Sequence, residues 1–438
     1  MLPRGAVRRA VRLSFVQAML GAVYAASTGG MFLIGYALRL GATNVHIGLL
    51  STIPMLCIGV QLGTAALIER GMSRRRLTLV ASLLNVACWL PVMLLPYVVP
   101  GASVTLKVGV LITALTVLTF FAFVAGNARG SWVGDLIPVR FRGTFFGRAT
   151  MYSGIIASLF AIGEGAFLDV IKQHGLAGFT ILFGFGMVFG VVGALLFLPQ
   201  ADIPAPRHEN GANLPRLLLE TLLNRSLRIV MLFAVIWSLQ AVAGPFYVTY
   251  MLRDLGMSFV GIGIINATFM LSCLLSAPLW GRAVDRWGCR PVLTACAVGL
   301  GAMQFSWLWL DTAHAVYCTL PLVNIASGAS AAGVSVALST LLYKVTPSRG
   351  RSVHFAVYSI VVVLVTAPLP SFGGHLPDWF AGIGLPADLR LTFYTGGLFM
   401  MLSALVARRI HEPGARSARH MLRELGTQWL LPILRWRY

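Results

Sequence analysis

Long apolar runs without charge constrain this chain more than any other feature. Leu77–Val99 and Ile229–Met251 contain no Asp, Glu, Lys or Arg. Each exceeds the roughly 20 residues that a helix needs to cross a hydrocarbon core about 30 Å thick. About twelve such runs recur along the chain. They are Leu13–Tyr36, Gly48–Ile68, Leu77–Val99, Val104–Ala128, Ala149–Val170 and Phe179–Leu198, then Ile229–Met251, Val260–Trp280, Pro291–Leu310, Ala315–Leu342, His354–Phe372 and Leu391–Ala407. With 57% hydrophobic and only 11% charged residues, a soluble core cannot hide this surface. The pattern predicts an all-α, multi-pass membrane protein. Arg8 and Arg9 precede the first run as in a secretory signal, but so many later spans favour an uncleaved first helix.

The net charge of +20 orients the chain rather than marking a nucleic-acid partner. With a cytoplasmic N-terminus, all but five of the 34 Lys and Arg fall on the cytoplasmic side. The exceptions are Arg39, Lys107, Lys172, Arg253 and Arg390. That asymmetry predicts both termini on the cytoplasmic side. No basic stripe remains for a duplex. The six cysteines are scattered and contain no CxxC, which predicts no metal site and no disulfide framework.

The chain also repeats. Leu40, Gly41, Val45, Ile47 and Gly48 meet Leu255, Gly256, Val260, Ile262 and Gly263 at a constant offset. LIERGMSRR from Leu67 meets AVDRWGCRP from Ala283, and PVRFRG at Pro138 corresponds to PSRGR at Pro347. Offsets of about 210 residues imply two six-helix units. The expected division is a first bundle over 1–199, a linker with an amphipathic segment over 200–228, a second bundle over 229–409 and a basic tail over 410–438.

These loops carry a family resemblance. Gly281-Arg-Ala-Val-Asp285-Arg286-Trp-Gly288-Cys-Arg290 resembles the signature of the major facilitator superfamily, a Gly followed by Asp-Arg, a second Gly and basic residues. The copy between spans two and three is worn, with Ala65 at the first glycine position, Glu69 for Asp and Met72 for the second glycine. The loop DLIPVRFRGTFFGR, with Asp135, Arg142 and Arg148, is similar to the matching loop of many bacterial members. The resemblance, being to bacterial members, implies the cytoplasmic (inner) membrane of a prokaryote. It also implies two pseudo-symmetric six-helix bundles, with signature loops holding the cytoplasmic ends together when that side is closed.

Within that frame, Asp285 is expected near Arg142 or Arg148, and Glu69, followed by Arg70, near Arg349 or Arg351. Each carboxylate would also suit a helix N-terminus. Lys344 stands where the first half has Asp135, which leaves the second cluster one acid short. The resemblance places spans one, four, seven and ten around a central cavity. Tyr24, Ser27, Thr28, Thr116, Trp237, Gln240, Asn324, Ser327 and Ser330 are the polar or aromatic candidates there. For each, packing or back-bonding within the helix is an equally good reading. Span ten is rich in small residues, consistent with cavity lining or close helix packing.

Glu164 is the one acid expected inside a span, about 24 Å along the helix from Arg148. An ionised carboxylate is costly there, so proton exchange is its natural role. No Lys or Arg is expected at mid-membrane depth, which favours a neutral, amphipathic or cationic solute. HExxH, GxSxG and GxxxxGK[ST] are absent, and GFGMVFG at Gly184 lies inside span six. The sequence therefore predicts no enzyme and no cofactor. The expected function is a monomeric secondary transporter, facilitative or proton-coupled, whose partners are a small-molecule substrate and the bilayer. The alternative is a non-transporting sensor or assembly factor of the same fold.

Overall fold

In hydrocarbon, backbone groups must be paired within a segment, so apolar runs of this length fold as helices. The computed structural model describes residues 4–425 apart from 99, 138, 172–174, 203–219, 222, 311, 347–350 and 387. Among the described residues there is no strand. Eleven helical stretches among the described residues are long and apolar enough to cross a membrane. In the first half these are α1 (Arg9–Arg39), α2 (Asn44–Ile68), α3 (Arg74–Val98), α4 (Val104–Val133), α5 (Phe145–Val170) and α6 (Ala177–Leu195). In the second half they are α7 (Arg225–Asp254), α8 (Phe259–Trp287), α10 (Ala315–Val345), α11 (Val357–Gly382) and α12 (Leu389–Ala407). The twelfth, α9, is a shorter helix over Cys289–Gln304 that continues as a 3-10 turn over Phe305–Leu308. A last helix, α13 (Ala418–Leu425), lies in the tail.

Local chemistry sets the helix starts. Thr43, Ser73, Ser103, Asn224 and Thr312 each accept a hydrogen bond from the backbone N–H three residues on. These side chains satisfy donors that a first turn leaves free. Large apolar side chains remain uncovered along the helices, among them Leu159 at 63% and Leu275 at 68% exposure. Such a surface suits acyl chains rather than water.

By spatial proximity the chain divides into two compact units. One comprises residues 1–209 together with 245–267 and 370–375; the other comprises 210–244, 268–369 and 376–438. The first unit therefore holds the end of α7, the start of α8 and a turn of α11 beside the first six helices. Its interior includes an aromatic cluster of Tyr36, Trp89, Phe179 and Phe183. In the second unit Val230, Phe233, Trp287, Val292, Ala337 and Met421 share one core.

Two expectations change. The helix containing α4 does not end at Ala128 but continues to Leu136, because nothing in Arg-Gly-Ser-Trp-Val breaks it. Arg129 therefore lies within the apolar stretch Val104–Val133, half-buried. The worn signature also keeps a glycine turn. Gly71 takes φ +93° and Gly288 takes φ +96°, so the left-handed turn sits one residue before Met72. A side chain at either glycine would be strained. Residues 203–219 and 222 of the linker lie outside the described residues, and its last four, Arg225–Arg228, already form the start of α7.

Candidate functional site

In the first unit, α5 carries two carboxylates in very different settings. Glu164 is 94% buried, as its 6% exposure shows, and contacts the hydroxyl of Ser27 on α1. That hydroxyl also lies 2.9 Å from the Val23 carbonyl. A serine has one proton to donate, so both contacts are satisfied together only when Glu164 carries a proton and donates to Ser27. The second carboxylate oxygen of Glu164 has no partner. Glu164 lines an apolar groove of about 440 Å³ between α5 and α6, with Leu159, Phe160, Phe167, Ile181 and Phe185.

Five residues on, Asp169 accepts hydrogen bonds from the backbone N–H groups of Phe259 and Val260, both at 3.0 Å. These are first-turn donors of α8, which lack partners of their own, and the helix dipole favours a negative charge there. Glycine lets the backbones approach: a Cβ on Gly165 would lie 2.9 Å from the Phe259 carbonyl carbon. On α2, a Cβ on Gly48 would stand 2.5 Å from the Pro370 oxygen. Ser371 donates to the Thr52 hydroxyl at 2.9 Å, and Arg253 donates to Asn44 at 2.7 Å. These contacts gather around the end of α5, the end of α7, the starts of α2 and α8 and the middle of α11. They form a clasp between the first six helices and segments of α7, α8 and α11.

The expected cavity residues of α1 and α4 are engaged inside the first unit. Tyr24 donates to Asn85 at 2.8 Å and accepts from the Trp89 ring N–H at 2.9 Å. Asn85 in turn donates to the Leu118 carbonyl. Thr28 and Thr116 bond the carbonyls four residues back. In the second unit, Trp237 stacks on Phe233 and packs against the core, while Gln240 is half-buried. Ser327 is buried and Asn324 half-buried on α10. The small residues of α10 admit α8 and α9: a Cβ on Gly328 would meet the Phe269 oxygen, and one on Gly333 would meet Cys296 and Trp280.

Each unit also has its own charge cluster, in the first at the start of α3 and in the second at the start of α9. In the first, Arg74 is 3% exposed and pairs with Asp135 at 2.7 Å. Arg75 donates to the carbonyls of Leu198 and Gln200, and Ser73 donates to Asp202 at 2.5 Å. In the second, Lys344 pairs with Glu412 at 3.0 Å, and Glu412 also accepts from the Arg290 N–H at 2.9 Å. Burial works against that carboxylate's charge. The N–H groups of Arg290 and Cys289, together with Lys344, outweigh it and hold Glu412 below the usual carboxylate range. Thus the acid missing beside Lys344 comes from the tail. Asp285 is exposed and makes no ion pair among the described residues. Arg70 and Arg148 are exposed, and open space surrounds Gly281. The side chains of Glu69, Arg142 and Arg351, and all of Arg349, lie outside what the structure describes.

Residues 229–435 match the sequence model of the Major Facilitator Superfamily. The same fold recurs in solved structures. A D-xylose-proton symporter superposes with a TM-score of 0.70 at 15% identity, covering 94% of this chain and 99% of that one. A bacterial homologue of the iron transporter ferroportin, in its inward-facing state, gives 0.69 at 14%, covering 93% and 99%. Over its second half the chain is thus similar to the major facilitator superfamily, and its fold is the one these solved structures share. Among curated relatives, the quinolone resistance protein NorA of Staphylococcus aureus (strain MRSA252) is 25% identical over 163 residues, 37% of this chain. That match spans only 39% of the NorA chain. An uncharacterized MFS-type transporter of Bacillus subtilis (strain 168), YitZ, is 24% identical over 162 residues, 37% of this chain and 92% of its own.

Proposed function

We propose that this chain is a member of the major facilitator superfamily, a secondary transporter that moves a small solute across the cytoplasmic membrane by alternating access, with both termini cytoplasmic. The observation that carries the reading is the clasp. It joins segments from the two sequence halves through few polar contacts and glycine-matched backbones, so it can part without unfolding either bundle. The solute is a neutral or cationic amphipathic molecule, a reading supported by the unpartnered oxygen of Glu164 beside an apolar groove. Arg129 offers an anion a partner that the sequence did not reveal, so anions belong in the test. Proton coupling through Glu164 is supported by the geometry at Ser27, which both partners satisfy only in the protonated form.

The test uses purified protein in liposomes loaded with a pH-sensitive dye. Sugars, amino acids, organic cations and organic anions are added in turn, with Glu164→Gln beside the parent. A substrate-driven pH change lost in the variant supports coupling at Glu164. Uptake without a pH change retires that role and leaves facilitation or another ion. No movement of any class would favour a non-transporting sensor or assembly factor.

A further inference from the structure

The tail does more than complete the Lys344 cluster. Helix α13 buries Met421 completely against a core that includes Trp287, Cys289 and Val292. Three residues on, Glu424 accepts from the Trp287 ring N–H at 2.7 Å and pairs with Arg286 at 3.3 Å. Its other oxygen pairs with Arg416 at 2.9 Å and lies 2.7 Å from His420. The Arg286 guanidinium lies 5.0 Å above the Trp287 ring, and the Arg416 N–H donates to the Trp287 carbonyl. Gly288 makes the approach possible: a Cβ there would stand 2.9 Å from Ala415 and 3.1 Å from Glu412. The tail is therefore seated on the signature loop itself, along Arg286, Trp287, Gly288 and Arg290.

We infer that α13 is a built-in regulator of the signature loop. Docked through Met421 and Glu424, it keeps Arg286 turned to its own bundle; undocked, it releases Arg286 to support closure at the terminal end. Three features separate this from simple surface packing. One buried methionine anchors the helix and one carboxylate gathers the polar contacts, so small local changes can release it. The contacts fall on the Asp-Arg-Trp-Gly segment rather than on lipid-facing surface. Asp285, the neighbouring acid of that signature, is left exposed with no ion pair among the described residues. The inference rests on the alternating-access reading above.

The experiment places spin labels on unnatural amino acids at Arg76 and Ser339, so that the native cysteines are not labelled. Inter-label distances are measured on the full chain in nanodiscs, and hydrogen exchange over residues 412–425 reports tail docking. In the parent, two distance populations are expected. Glu424→Gln should speed exchange in α13 and enrich the shorter-distance population at least twofold. Met421→Asp should do so more strongly. Adding Arg286→Gln to Glu424→Gln should abolish the enrichment, an outcome that a general loss of packing would not produce. Faster exchange with unchanged populations would overturn the inference while leaving alternating access intact. A single population in every form would overturn both. Should Met421→Asp fail to fold, Glu424→Gln alone still decides between these outcomes.

Discussion

The two charge clusters solve one problem in different ways. In the first half, the cation is Arg74 at the start of α3 and the acid is Asp135 at the end of the same helix as α4. In the second half the sign is reversed on the matching helix: Lys344 ends α10, and its acid, Glu412, comes from beyond α12. Asp202 after α6 and Glu412 after α12 both reach the start of the helix that follows a signature loop. The first half pairs its buried arginine from within its own helices. The second closes its cluster only when the tail is in place. A duplicated architecture can thus keep its geometry while its charges migrate, and the migrated acid makes the tail part of the second bundle.

The comparison is most easily broken at Asp135. Asp135→Ala removes the carboxylate partner of an almost fully buried guanidinium and should cost on the order of 3 kcal/mol. Thermal unfolding in detergent would read this as a clear loss, and an unchanged midpoint would mean that Arg74 is held by other groups. Glu412→Gln should cost less, about 1–3 kcal/mol, because an amide still accepts from the Arg290 N–H while losing the charge. A double-mutant cycle with Lys344→Gln should return a coupling of at most about 1 kcal/mol, since Lys344 is 49% exposed.

Tail docking should also depend on pH in a defined direction. Glu412 is held below its ordinary value of 4.5 as described above, and Glu424 is held below it by the Trp287 N–H, with His420, Arg416 and Arg286 adding to the effect. A depressed carboxyl contributes stability that is fully present above its unfolded value and is lost as pH falls through the folded one. Hydrogen exchange in α13 should therefore quicken as pH falls below about pH 4.5, once corrected for intrinsic rates. Exchange as slow at about pH 3 as at about pH 5 would contradict this. The smallest expected effect separates Gly71 from Met72. Gly71→Ala should destabilise by about 1 kcal/mol because of its positive φ, whereas Met72→Gly should change unfolding by less. The reverse ranking would restore the second signature glycine to position 72.

Most of the fold was legible because hydrocarbon thickness and backbone pairing leave one solution for long apolar runs. Even the short α9 was expected from its composition. The site was less legible, and each failure has a physical reason. Arg129 was missed because the span was ended at Ala128, just before it, although the helix continues through it. Met72 occupied the glycine position by alignment, but the left-handed turn needs only one glycine nearby and found Gly71. Asp169 was not singled out, because its partners are backbone N–H groups, which no side-chain pattern announces. Glu412 lies 68 residues from Lys344, beyond any local motif. Its legible sign was the unbalanced lysine. Glu164, by contrast, stood out because a lone acid in an apolar helix demands a role.

Alternating access requires the clasp to open and close. Asp169 holds the start of α8 there, and losing a carboxylate at a helix N-terminus weakens it by about 0.3–1 kcal/mol. The most direct test measures the distance between labels on unnatural amino acids at Arg39 and Asp254 in nanodiscs, in the parent and in Asp169→Asn. Two populations are predicted, with the longer one enriched about two- to fivefold in the variant, as that energy implies. One short distance, the same in both proteins, would contradict the account.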